Sequence, residues 1–363
     1  MQSSNGLKSS PTHLIIVAHG LVGRAKDLDY VVRQIQVKDG ERAFVHATRV
    51  NEGGKTYDGV ESGSKRIAKD VIELIENNKE NNLHNLKYIS FIGNSLGGLY
   101  VRHVISILYD TMTGLIAGLE PLNFISIATP HLGFESFYDF PPKSLLNFIM
   151  HNFIGQTGFD LNLTDEDRLL YHMATSHKFL SPLKAFQRRR LYANLNGDFM
   201  VPFNTASIYE RFHLRDNNID VSSKAAIVHI VPEKGNHKIL EYETEERNPN
   251  YNQNQKTQMV ITEGCIEKEM IKTDNKESKN NTQKNEIDEK EALIEKMRHT
   301  LNPLFEKVIV NFPSSSFIPL SHNKIAAIER EGPVSNLIAS ICGFNEGTFV
   351  MDDLANYVTR INI

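Results

Sequence analysis

The chain has 363 residues, 40% of them hydrophobic, which is enough for one large domain with a sizeable core. Lys and Arg number 40 against 44 Asp and Glu, a formal charge of −4, and this balance excludes the broad basic footprint of a nucleic-acid binder. The only cysteines, Cys265 and Cys342, form no metal spacing and no disulfide framework, so a reducing compartment fits.

Residues 1–12 are polar and rich in Ser and Asn, and are expected to be disordered. They hold no apolar stretch of signal-peptide length, and no run reaches the roughly 18 apolar residues of a membrane span. The expectation is a soluble cytoplasmic protein that can touch a membrane or lipid droplet from one side. Residues 13–363 are expected to form one α/β domain. His13-Leu14-Ile15-Ile16-Val17-Ala18 is almost unbroken apolar sequence, the mark of a central parallel strand. It ends at His19-Gly20-Leu21-Val22-Gly23. An H-G loop after a first long strand can supply a backbone N–H to an oxyanion hole, here from Leu21. His19 and Gly20 are read as shaping that loop.

Asp27 to Val37 reads as a helix, Ala43 to Val50 as a strand, and Tyr57 to Asn77 as a helix with Ile67, Val71, Ile72, Leu74 and Ile75 in register. Leu86 to Ile92 then gives a buried strand, and Leu99, Val101, Val104, Ile105 and Leu108 mark the face of a following helix. Between them Gly93-Asn94-Ser95-Leu96-Gly97 fits G-x-S-x-G, the nucleophile elbow. Gly93 and Gly97 flank the sharp turn because side chains there would strike the strand or helix. Ser95 is the candidate nucleophile, and the N–H of Leu96 the second oxyanion donor. Leu122 to Ala128 is a further buried strand. Strands alternating with helices imply a doubly wound, mostly parallel sheet with helices on both faces, and in such sheets ligands bind at the carboxyl ends of the strands.

Phe134 to Gly155 is dense in Phe, Leu, Ile and Met. It reads either as a lid or acyl-chain surface, within bounds of 134–160, or as an ordinary buried helix. Asp165 to Phe186 is mixed helical sequence. Arg188-Arg189-Arg190 reads as a solvated turn before a strand at Leu191–Leu195. Asn196-Gly197-Asp198 follows, and a carboxylate on a glycine-marked turn at a strand's end suits the third member of a triad. Residues 241–296 are dominated by Asn, Lys, Glu, Gln and Thr, and read as a low-complexity, disordered insertion. Val308 to Phe312 is strand-like, and His322 lies in a loop beyond it, before a closing helix at Phe349–Ile361. Among 14 histidines it best suits the chain order Ser…Asp…His. His131 is its main rival, His103 reads as structural, and His213, His229 and His237 border the insertion.

The motifs His19-Gly20-Leu21, Gly93 to Arg102, Ala128-Thr129-Pro130-His131-Leu132-Gly133, Thr157-Gly158, Leu163-Thr164-Asp165, Tyr192-Ala193-Asn194 with Asp198 and Val201, and Ser321 to Ile325 occur in order. Together they resemble the putative serine esterase family (domain of unknown function 676), lipase-like members of the α/β-hydrolase superfamily. The resemblance implies hydrolysis of lipid esters such as acylglycerols or phospholipids, with no cofactor and no metal. Asn94 stands where many lipases carry His. The reading is a serine ester hydrolase with Ser95 as nucleophile, His322 as base and Asp198 as orienter. The alternative is a non-catalytic scaffold of the same fold that uses 241–296 as an interaction segment.

Overall fold

The computed structural model describes residues 10–77, 83–134, 155–198, 200–209, 226–231, 280–312, 321–328 and 347–360. The apolar runs become strands β1 (His13–Ala18), β2 (Ala43–Ala47), β3 (Tyr88–Asn94), β4 (Glu120–Ile127), β5 (Arg188–Asn194), β6 (Ala226–Val231) and β7 (Glu306–Asn311). They form one sheet in the order β2-β1-β3-β4-β5-β7-β6. Every pairing is parallel except β6 with β7, where β6 runs antiparallel at the edge.

Alternation along the strands divides the core between two faces. Leu14 and Ile16 of β1 and Leu191 and Ala193 of β5 point to one side. There they meet α2 (Val60–Glu76), α3 (Leu96–Leu108), α5 (Leu169–Thr175), α6 (His177–Ala185) and the short α7 (Phe203–Ser207). Ile15, Val17 and Tyr192 point to the other, where α1 (Asp29–Asp39) and α10 (Thr348–Thr359) pack. This is the doubly wound sheet expected from the strand–helix alternation.

A short helix α4 (Gly155–Asn162) caps the start of α2 from a distant part of the chain. Asp160 Oδ2 accepts from the Val60 amide at 2.7 Å, and Thr157 Oγ1 accepts from the Gly59 amide at 3.0 Å. Both meet donors that a helix N-terminus leaves unpaired. Thus the Thr157-Gly158 motif serves the fold.

Three expectations need correction. Arg188-Arg189-Arg190 is not a solvated turn but the first half of β5, with Arg190 1% exposed. The guanidinium of Arg190 is bidentate to Glu306, at 2.6 and 2.9 Å, and reaches Asp353 at 3.1 Å. Arg188 and Arg190 both lie over the Tyr357 ring. The Arg189 side chain donates to the backbone carbonyls of Leu304, Lys184 and Phe186. Charged residues can enter a buried strand when each head group finds partners. Second, residues 280–296 of the expected insertion belong to helix α8 (Asn280–Leu301). Ile294, Met297 and Leu301 recur at helical spacing and enter the core, a single stripe that polar composition conceals. Residues 241–279 lie outside the described residues. Third, residues 10–12 of the expected disordered segment are described, and Thr12 donates to the Arg42 carbonyl at 2.9 Å and accepts from Lys87 and Tyr88. Residues 1–9 are outside the described residues, as are 135–154 and therefore most of the expected lid, whose last residues, 155–160, belong to α4.

No described helix is long and apolar enough to cross a membrane.

Candidate active site

Ser95 lies between β3 and α3 with φ 54° and ψ −126°, a region that L side chains rarely adopt. The turn is held by the Ser95 amide donating to the Ile127 carbonyl at 2.8 Å. It needs its glycines. A Cβ at Gly93 would overlap the backbone of Gly97 and Gly98, and one at Gly97 would overlap the carbonyls of Ala18 and His19. The side chain of Asn94, which precedes Ser95, turns to the Ile127 carbonyl at 3.5 Å.

The H-G loop closes over the elbow. A Cβ at Gly20 would stand 2.7 Å from Ser95 Cβ and 3.2 Å from its Oγ, so only glycine brings this backbone so near Ser95. His19 is buried, and its Nδ1–H donates to the Gly20 carbonyl at 3.0 Å. Burial lowers its pKa, which favours the neutral ring that a loop-shaping role needs. Further along, Gly23 donates to Gly20 and Val22 donates to Thr56 Oγ1 at 3.0 Å. Leu21 sits between these anchored amides. Leu96 opens α3, so its N–H has no carbonyl within its own helix.

At the carboxyl end of β5, Asp198 accepts four hydrogen bonds. Oδ1 takes the amides of Met200 at 3.0 Å and Val201 at 2.8 Å. Oδ2 takes Asn194 Nδ2 at 2.8 Å and His322 Nδ1 at 2.9 Å. A carboxylate oxygen accepts, so this bond is donated by the Nδ1–H of His322, and Nε2 is the ring nitrogen turned away from Asp198. His322 is 4% exposed and lies on a short helix, α9 (Ser321–Ile325), where a loop was expected. A helical turn holds the ring more rigidly than a loop would. Ser95, Asp198 and His322 thus follow β3, β5 and β7, three parallel strands of one sheet. The structure joins Asp198 to His322 directly. Among the described residues no hydrogen bond links Ser95 Oγ to His322.

The rival His131 is engaged elsewhere. Arg102 Nη1 donates to its Nδ1 at 3.0 Å and to its carbonyl at 3.2 Å, and its Nε2–H donates to Ser126 Oγ at 2.8 Å. It is fully buried, and burial followed by the Arg102 charge pushes its pKa well down. His103 is also buried, its ring against Phe179. The side chain of His229, and all of His213 and His237, fall outside the described residues. No group of three or more His, Cys, Asp or Glu suited to a metal occurs among the described residues.

Asn194 was quoted in the sequence only as part of a motif. Its signal is a polar residue at the carboxyl end of the Leu191-Tyr192-Ala193 run, four positions before Asp198.

A mostly parallel sheet with a strained serine between strand and helix, and a His–Asp pair beyond later strands, defines an α/β-hydrolase fold. The chain belongs to the family described as "Putative serine esterase (DUF676)", whose model matches residues 8–208. Ser95 and Asp198 lie within that match, and His322 lies beyond it. Among curated proteins it is similar to "Putative lipase ROG1" of Saccharomyces cerevisiae, 31% identical over 205 residues, covering 54% of this chain and 28% of the relative. It is also similar to "Putative lipase C4A8.10" of Schizosaccharomyces pombe, 25% identical over 211 residues, covering 55% and 26%. The match therefore takes in less than a third of these relatives' own length. Solved structures with some likeness include phospholipase PlaB from Legionella pneumophila, at TM-score 0.36 and 14% identity over 53% of this chain and 41% of that one. Carboxyl esterase 2 from Tuber melanosporum gives TM-score 0.35 and 17% identity over 51% and 58%.

Proposed function

We propose that this protein is a serine hydrolase that cleaves carboxylic esters of lipids, with acylglycerols or phospholipids as the substrate class. The observation that carries the reading is the buried Asp198–His322 hydrogen bond at the sheet edge that also presents Ser95 in a strained elbow. The lipase names of the relatives support the substrate class.

Ser95 Oγ attacks the ester carbonyl carbon, and its proton passes to His322 Nε2. The carbonyl π bond opens, and the oxyanion is held by the N–H groups of Leu21 and Leu96. Asp198 keeps the ring in the Nδ1–H tautomer and stabilises the imidazolium. As the tetrahedral centre collapses, the bond to the leaving alkoxide breaks and His322 returns its proton to that oxygen. A water then attacks the acyl-enzyme, again losing its proton to His322. Collapse releases the free acid and restores the Ser95 hydroxyl. No step needs a metal or cofactor. A long-chain substrate places the enzyme against a membrane or droplet surface during turnover.

The test is hydrolysis of short- and long-chain esters, including a monoacylglycerol and a dispersed phospholipid, by wild type, Ser95→Ala and His322→Ala. Loss of about 10³-fold or more in both variants supports the triad. Equal rates in all three proteins would reject the reading for those substrates.

A further inference from the structure

We propose that Asn194 is a positioning residue for the acid of the triad: its side-chain amide fixes which lone pair of Asp198 Oδ2 is left for His322. The proposal rests on the reading of Ser95, Asp198 and His322 given above. Asp198 stands on a turn, whereas Asn194 is the last residue of β5, paired in register with Val310 of β7. The strand residue therefore ties a loop residue to the central sheet.

The hydrogen-bond count supports this role. A carboxylate offers about four lone-pair sites. In Asp198 two are taken by the Met200 and Val201 amides on Oδ1, one by Asn194 Nδ2 and one by His322 Nδ1, both on Oδ2. With Asn194 in place, the carboxylate cannot swing to give His322 a different lone pair. Charge-assisted bonds of this kind are the stronger class of hydrogen bond.

The amide also gives up something. Asn194 is 1% exposed, and its Oδ1 has no hydrogen-bond partner among the described residues. A buried acceptor left unmet is destabilising. A nonpolar residue of similar volume would fill this place in the strand without that cost, yet an amide occupies it, with its donor end turned to Asp198.

Positioning through Asp198 makes a prediction that a general effect on folding does not. Asn194→Ala should lower kcat for an activated short-chain ester by about 10- to 100-fold, with KM changed by less than about threefold. In an Asp198→Ala background the same substitution should change kcat by less than about twofold, because the residue it acts through is gone. Equal losses in the two backgrounds, or a kcat within twofold of wild type in Asn194→Ala, would overturn the proposal. If Asn194→Ala does not fold, Asn194→Leu keeps the volume, removes the donor and is read in the same cycle. Ser95→Ala separates the two layers: full activity in that variant rejects the hydrolase reading, whereas an inactive Ser95→Ala beside a fully active Asn194→Ala rejects only the role of Asn194. A readout independent of turnover is the low-field proton resonance of His322 Nδ1–H, identified by its loss in His322→Ala. It should move in Asn194→Ala, and an unmoved resonance overturns the proposal.

Discussion

Gly197 faces Ser321 so closely that a side chain on the glycine would meet it, and each stands one residue ahead of a member of the His–Asp pair. A Cβ at Gly197 would stand 2.6 Å from Ser321 Oγ, and Gly197 itself adopts φ 72°. The acid turn and the histidine helix are therefore spaced by a glycine. Gly197→Ala adds a left-handed penalty of about 1–2 kcal/mol and forces the Ser321 hydroxyl, one residue before His322, to give way. Its expected effect is a kcat loss of at least about tenfold with a melting temperature lower by a few degrees. Gly197→Ala/Ser321→Ala removes the colliding oxygen and should recover part of kcat while the backbone penalty stays. Ester hydrolysis and a thermal melt of the three proteins check both halves.

His131 and His322 should respond oppositely to substitution. His131 is sealed between Arg102 and Ser126, and its removal leaves Arg102 Nη1 without its ring acceptor. His131→Gln is expected to destabilise the fold by about 2–4 kcal/mol while kcat at 25 °C stays within a few-fold of wild type. His322→Ala should do the reverse. Urea unfolding alongside initial rates measures this, and a catalytic collapse in His131→Gln with an intact fold would return His131 to consideration as the base.

The parts of this fold that were legible in the sequence are those in which one residue's chemistry sets its place. Ile15, Val17, Ile92 and Ile125 could only be inner strand positions, and Gly93 and Gly97 could only flank a tight turn. Chain order and strand ends singled out Ser95, Asp198 and His322, and of these the structure joins Asp198 to His322. Arg188 to Arg190 misled because charge in a linear sequence does not reveal its partners: Glu306 and Asp353 lie 116 and 163 residues from Arg190. Helix α8 was hidden for a related reason. Its buried stripe of Ile294, Met297 and Leu301 is short beside its polar remainder, and only packing against the core gives it weight. The role of Asn194 is likewise a matter of direction, since no spacing rule says which way an amide turns.

Arg190 gives a strong stability prediction. Burial opposes its charge, but Tyr192 and the Glu306 carboxylate outweigh that, and the net direction of its pKa is upward. Removing one member of a buried ion cluster costs about 3–5 kcal/mol, because the other charges are left without a partner. Arg190→Met should therefore lower the melting temperature by roughly 10 °C, at about 2–4 °C per kcal/mol for a domain of this size class. Arg190→Met/Glu306→Leu should recover much of the loss, leaving Asp353 its bond from the Tyr192 hydroxyl at 2.8 Å. A double variant no more stable than the single would show that Glu306 is not stranded when Arg190 is removed.

Acid should loosen the fold through histidines held neutral inside it. Burial, with Arg188 nearby, lowers the pKa of His13 to about 3. Burial lowers that of His103 to about 4, against a partly offsetting Glu61 and with Lys178, Lys65 and Arg102 adding to the shift. In the unfolded chain both rings titrate near about 6.5. Above that pH they are neutral in both states and contribute nothing to pH dependence. Below it the unfolded chain binds protons that the fold refuses, so stability falls as pH drops from about 6.5 toward 4. Each ring contributes up to about 1.4 kcal/mol per pH unit in that window. Urea unfolding at pH 7, 6 and 5 should show the decline, and His103→Leu and His13→Asn should each flatten it. His13 accepts or donates one bond, with Ser90 Oγ at 2.7 Å, so His13→Asn will also shift the whole curve downward, and the slope between pH 6 and 5 is the quantity to compare. A slope unchanged in both variants would mean that neither ring is the source of the acid sensitivity.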